Sequence, residues 1–186
     1  ATLTHAAVAD NGSYLVDTTA PTVSSVAITS ATGVQNSSLN VGDVVTVTVT
    51  MSESVTVTGT PQVTLNVGGV NRTASYASGS GSASLLFTYT IQSGDTDANG
   101  ISIAANSLAN AGGSTIADAA GNAATLTHAA VADNGSYLVD TTTPTVSSVV
   151  VTGIGVQNGY LNAGDVVVVT VTMSESVTVT GSPQIT

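Results

Sequence analysis

The first seventeen residues, Ala1 to Asp17 (ATLTHAAVADNGSYLVD), return unchanged as Ala124 to Asp140, so position 1 recurs at position 124 and the period is 123 residues. The copy continues from Thr18 to Thr64 against Thr141 to Thr186, with one deletion near Thr32 and changes such as Thr46 to Val168 and Val63 to Ile185. That period is far longer than a solenoid repeat and close to the size of a single domain, so each repeat reads as a complete domain in a tandem array. Counted from the signature Val-Asp-Thr-Thr-x-Pro at Val16–Pro21 and again at Val139–Pro144, residues 1–17 are the end of a preceding repeat and residues 18–140 one whole repeat. Residues 141–186 are the opening strands of the next repeat. This last segment is too short to cover a core by itself, so either the chain is cut from a longer one or a neighbour completes it. Ala1 falls inside a repeat, so the lack of a leader peptide carries no information.

Within the repeat the dominant pattern has a period of two. Val45, Val47, Val49 and Met51 alternate with Thr46, Thr48 and Thr50, which predicts a half-buried antiparallel strand with valine inward and threonine outward. Further strands are predicted at Val55–Thr58, Pro61–Val67, Val70–Tyr76 and Ser82–Ile91, bounded by Gly59-Thr60-Pro61, Gly68-Gly69 and Gly79-Ser80-Gly81. An opening strand at Thr22–Ser30 and a closing one at Ala124–Ala130 bring the count to about seven, that of an immunoglobulin-like antiparallel β-sandwich. Residues 101–122 fit either short strands or a helical turn. The expected core is Val26, Ile28, Val45, Val47, Val49, Val63, Leu65, Leu85, Phe87, Tyr89 and Ile91.

Charge narrows the partners. One Lys+Arg against eleven Asp+Glu gives a net charge of −10, which excludes a nucleic-acid surface and favours divalent cations, calcium first. No cysteine is present, so disulfides and thiolate metal sites are excluded, and without lysine so are Lys–Asn isopeptide crosslinks. No apolar run approaches the length of a membrane span, and no direct membrane insertion is expected.

Val16–Pro21 (Val-Asp-Thr-Thr-Ala-Pro), Met51–Val55 (Met-Ser-Glu-Ser-Val) and Asp118–Asn122 (Asp-Ala-Ala-Gly-Asn) together resemble the bacterial immunoglobulin-like repeats of giant surface proteins, including the extender repeats of large repeats-in-toxin adhesins. The resemblance implies an extracellular, cell-surface spacer that projects a binding domain, stiffened by calcium at its junctions. It also implies that the partners are neighbouring repeats of the same chain.

Two groups of residues suit a cation. Asp95-Thr96-Asp97-Ala98-Asn99-Gly100 places oxygen ligands at alternate positions before a turning glycine, like the first half of a calcium loop. Asn106 stands where that loop needs glutamate, and the competing reading is a polar turn. The second group gathers at the junction: Asp17 or Asp140 in the linker, Glu53 or Glu175 at a strand end, and Asp118 with Asn122. If they converge, a cation relieves their repulsion and stiffens a linker already restrained by Pro21 or Pro144; the competing reading is turn capping.

The remaining motifs read as structural. Asp10-Asn11-Gly12 and its copy Asp133-Asn134-Gly135 predict bends. One His per repeat, His5 and His128, with no nucleophile elbow and no paired active-site carboxylates offers no catalytic set, so no enzyme is expected. Arg72 reads as an exposed cation on a strand edge. The row Thr46, Thr48, Thr50, Thr56 and Thr58 raises an ice- or glycan-binding reading, set against the ordinary frequency of threonine on strands. Spacer function leads; a subunit of a filament, sheath or surface layer, in which identical chains complete one another's sheets, is the alternative.

Overall fold

The computed structural model describes residues 1–185. It is almost entirely β-structure and divides into two compact units, Ala1–Thr141 and Thr142–Thr186. In the first unit the strands are β1 (Val23–Thr32), β2 (Ser38–Leu39), β3 (Val44–Thr58), β4 (Gln62–Val67), β5 (Val70–Ser78), β6 (Ser82–Thr90), β7 (Thr96–Asp97), β8 (Leu108–Ala109), β9 (Thr115–Ala117) and β10 (Leu138–Asp140). The second holds β11 (Val146–Ile154) and β12 (Val166–Met173).

The alternation read from residues 45–51 extends through the fifteen residues of β3, which forms the spine of the unit. β1 and β6 flank it antiparallel, and the sheet runs β1-β3-β6-β5-β4-β8. Valines 45, 47 and 49 are sealed at 0% exposure, and β6 sets Tyr89, Phe87 and Leu85 opposite them. Past Thr50 the register with β6 breaks, and β3 passes to a second partner, pairing Thr56–Thr58 with β9. A strand that changes partners through an irregularity turns a sheet over its own core.

The facing layer comes from the small sheet β2-β10-β7 and from irregular chain, which send Leu39, Val139, Ile101, Ile103 and Ile116 into the same cluster. Tyr76 and Phe87 meet edge to face at 5.8 Å. Of the expected core, Val26 is partly buried and packs against the cluster, and the other ten are buried.

The closing strand differs from expectation. Residues 124–130 make one isolated bridge, Thr125 with Thr22, and the true closing strand is β10, pairing parallel with β2 and antiparallel with β7. The alanine-rich run has little side-chain bulk to bury, whereas Leu138 and Val139 have it. Residues 101–122 contain β8, β9 and a single 3₁₀ turn at Ala111–Gly113.

β3 also orders the two ends of the first unit. At its Met51 end the incoming segment is anchored by Ser52 N–H to Thr22 O at 2.8 Å and Thr125 N–H to Pro21 O at 2.8 Å. At its Val44 end, Ile91 N–H bonds Asp43 O at 2.8 Å, and nearby the Thr141 hydroxyl donates to Asp95 O at 2.9 Å as the chain leaves β10. Val44 to Met51 is seven residue steps, about 23 Å of strand, so the chain enters this unit at one end and leaves at the other.

In the second unit, β11 and β12 form a two-stranded antiparallel hairpin sheet. Its register, Val149 with Val171 and Val151 with Val169, repeats that of Val26 with Val49 and Ile28 with Val47.

Candidate metal centre

Asp118 opens a tight turn in which its carboxylate accepts the Asn122 N–H at 2.8 Å and the Asn122 amide at 2.8 Å. Asn122 Nδ2 also donates to the carbonyls of Asp17, at 3.1 Å, and Thr19, at 3.4 Å, so the turn clasps the incoming linker. Glu53 lies in the stretch between Thr50 and Val55 where the register of β3 with β6 shifts, just before β9 takes over at Thr56. These three local causes bring Asp17, Glu53 and Asp118 together, with one carboxylate oxygen from each within 4.8 Å of the others. Among the described residues this is the one such group of three acidic or histidine side chains. Asp17 is exposed, Glu53 half-buried and Asp118 buried. Burial pushes the Asp118 carboxyl up, but the Asn122 side chain and the N–H groups of Asn122, Ala120 and Gly121 outweigh it and hold the group below its ordinary value. The carboxylate is thus kept charged.

The second copy of the junction set is divided between the units. Asp140 ends β10 in the first, and Glu175 follows β12 in the second, where its buried Oε1 has no hydrogen-bond partner.

The Asp95–Gly100 segment is arranged otherwise. Asp95 Oδ1 takes the Arg72 guanidinium, at 2.7 Å from Nε and 2.5 Å from an Nη, while Oδ2 takes the Tyr89 hydroxyl at 2.5 Å and the Gln92 N–H at 2.9 Å. Asp97 points elsewhere, accepting the Gly68 N–H at 2.7 Å and the Gly100 N–H at 2.8 Å. Asn99 donates its amide to Asp133. The three side chains serve three separate hydrogen-bond sets. Asp97 serves as a clasp: a Cβ on Gly68 would lie 1.8 Å from the Thr96 carbonyl, and Gly68 has φ +55°, so only glycine fits the backbone there.

Arg72 therefore differs from its reading as an edge cation. Its side chain is 32% exposed, while that of Asp95 is 0% exposed. Burial raises the Asp95 carboxyl, and the hydrogen bonds from Tyr89, Gln92 and Arg72 together with the Arg72 charge outweigh it and hold it below the usual carboxylate range. Burial, then the Asp95 bond and charge, pushes the Tyr89 phenol up to about 12. The signal for this pairing was in the composition: a single cation in a chain of net charge −10 is the natural partner for an acid that must be buried.

His128 is a structural connector. Nε2 accepts the N–H groups of Ser107 at 2.9 Å and Leu108 at 3.2 Å, which leaves Nδ1 as the donor to Ala129 O at 2.7 Å. Both Asp-Asn-Gly segments turn as expected: Asn11 Oδ1 accepts Ser13 N–H at 3.0 Å, and Asn134 Oδ1 accepts Ser136 N–H at 3.1 Å. In the threonine row, Thr48 shares its hydroxyl with Thr29 at 2.8 Å.

Compared with family models, with curated protein sequences and with solved structures, the chain finds no match.

Proposed function

We propose that the chain is a stretch of tandem modules serving as an extracellular spacer in a cell-surface adhesive protein, with calcium taken up by Asp17, Glu53 and Asp118. The observation that carries this reading is the convergence of a linker carboxylate with two module carboxylates at the end where the chain comes in, while it goes out at the opposite end. A cation at the linker neutralises repelling carboxylates and removes linker freedom. Three carboxylates supply up to six oxygens, and calcium takes six to eight, so water and main-chain carbonyls complete the shell.

The test is a calcium titration of the full chain followed by thermal melting. Saturable binding with a rise in Tm, abolished by Glu53→Gln, is the expected outcome. Equal melting in chelator and in millimolar calcium removes the cation from the reading. Small-angle scattering of a multi-module chain tests the spacer itself, which requires an extended particle; a compact one overturns it.

A self-assembling filament or surface-layer subunit is the second reading, favoured by the identity of Ala1–Asp17 and Ala124–Asp140. Val139 is 3% exposed in the docked copy, and Val16 is 90% exposed in the other. Ordered polymers of the purified chain in electron micrographs support it, and monodisperse particles reject it.

A further inference from the structure

Residues 102–109 seal one edge of the main sheet, and the chain behind them holds them there. On one side they pair with β4: β8 sets Leu108 opposite Val63 and Ala109 opposite Gln62, while Thr64 N–H bonds Ser107 O at 3.2 Å. On the other side residues 106–108 are held by His128. Its Nε2 accepts the N–H groups of Ser107 and Leu108, at 2.9 and 3.2 Å, its carbonyl accepts Asn106 N–H at 3.2 Å, and its own N–H donates to Asn106 Oδ1 at 3.0 Å. Asn106 sits at φ +58°, and successive N–H groups that converge after such a turn form a concavity suited to a lone pair or an anion.

The repeat separates local from tertiary causes. His5, in the same sequence context, is exposed, and its Nδ1 meets Ala6 O at 2.8 Å as His128 Nδ1 meets Ala129 O at 2.7 Å. Neighbouring residues therefore set the Nδ1 side of the ring. The Nε2 contacts belong to the docked copy. With the hydrogen on Nδ1, Nε2 can accept only while the ring is neutral.

We infer that His128 is a proton-operated latch on this edge: neutral, it holds β8 against β4, and protonated, it releases it. A proton on Nε2 occupies the lone pair that both N–H groups use and sets an imidazolium against two N–H dipoles. No opposite charge offsets that repulsion. The ring meets Asn106, Ser107, Leu108 and Ala129, and β4 brings Gln62, Val63 and Thr64 to the far side of β8, none of which titrates. Among the described residues no carboxylate pairs with the ring, Asp118 and Asp133 being bonded to Asn122 and Asn99, and Arg72 to Asp95. Histidine changes charge in mild acid, where ordinary carboxylates do not. The release is local, since β8 is two residues long and the Ile103–Val131 bridge beyond it does not involve the ring. It lifts Leu108, 4% exposed, from the core and bares the edge of β4 at Gln62–Thr64 as a template for another strand.

The experiment follows backbone amides of the isotope-labelled full chain by NMR from about pH 8 to about pH 5, with the ring signals of His5 and His128 recording the charge on each. Amide exchange at Ser107, Leu108 and Thr64, corrected for its intrinsic pH dependence, is expected to quicken at least tenfold as the His128 ring protonates. Exchange at Ile103, Val131 and across β3 and β6 is expected to stay unchanged. His128→Gln supplies a carbonyl acceptor that acid does not remove, and is expected to abolish the response, whereas His5→Gln leaves it intact. Equal exchange at both ends of the range, a His128 ring still neutral at the acid end, or the same acid response in His128→Gln overturns the latch.

Discussion

Asp95 has both carboxylate oxygens engaged, by Arg72, Tyr89 and Gln92, and its side chain is shut off from solvent. Removing the cation leaves a buried charge, so Arg72→Met is expected to cost about 3 kcal/mol in denaturant unfolding. The Asp95 carboxyl is held below its unfolded value, so its contribution is present above that value and is lost as pH falls through the lower folded one. Arg72→Met therefore moves the acid-unfolding midpoint to higher pH. The Tyr89 phenol is raised to about 12, so its contribution is complete below the ordinary phenol value and lost as pH climbs through about 12; stability measured from pH 8 to pH 12 falls in the native chain. Tyr89→Phe flattens that alkaline limb. A second residue carries backbone strain: Ser37 sits at φ +65° in the turn between Gln35 and Ser38, where the second copy has Gly159 at φ +84°. Ser37→Gly is expected to raise stability by about 0.5 kcal/mol, strain relief outweighing added unfolded-state entropy.

At the scale of elements, the first half of β3 was readable because Val45, Val47 and Val49 alternate with threonine, but the strand expected separately at Val55–Thr58 is its continuation, because Ser52, Glu53 and Ser54 do not interrupt the extended chain. What that period does not record is the register shift against β6 between Thr50 and Val55, the stretch that holds Glu53 beside the linker. The closing strand was legible in type but not in place, because β10 is three residues long and is held by pairings to β2 and β7, remote in sequence. The repeat supplies an internal control. Val139→Ala removes two methyl groups from a sealed site and is expected to cost about 2 kcal/mol in equilibrium unfolding, whereas the same change at Val16, 90% exposed, stays within about 0.5 kcal/mol.

Over the whole molecule, stability is expected to be uneven. The first unit closes a core of twenty buried hydrophobic residues, while the second exposes the valines of both its strands. Amides of β11 and β12 should exchange well before those of β3 and β6, and exchange at equal rates would show that the hairpin is covered in solution. Charge acts at this scale too. At net charge −10, and without divalent cations, added sodium chloride is expected to raise the melting temperature by screening repulsion among carboxylates.

The linear pattern determined the repeat, the all-β class, the inward valines and the acidic character, because each is a property of neighbouring residues or of counts. It also named Asp17, Glu53, Asp118 and Asn122 as a set. Only the tertiary structure decided which acids meet. Asp17, Glu53 and Asp118 are brought together by a turn, a strand whose register shifts and a clasped linker, whereas Asp95, Asp97 and Asn99, side by side in sequence, are turned to different donors. The physical reason is that a buried carboxylate must find donors, and the donors available to it are set by packing between distant segments, not by spacing along the chain.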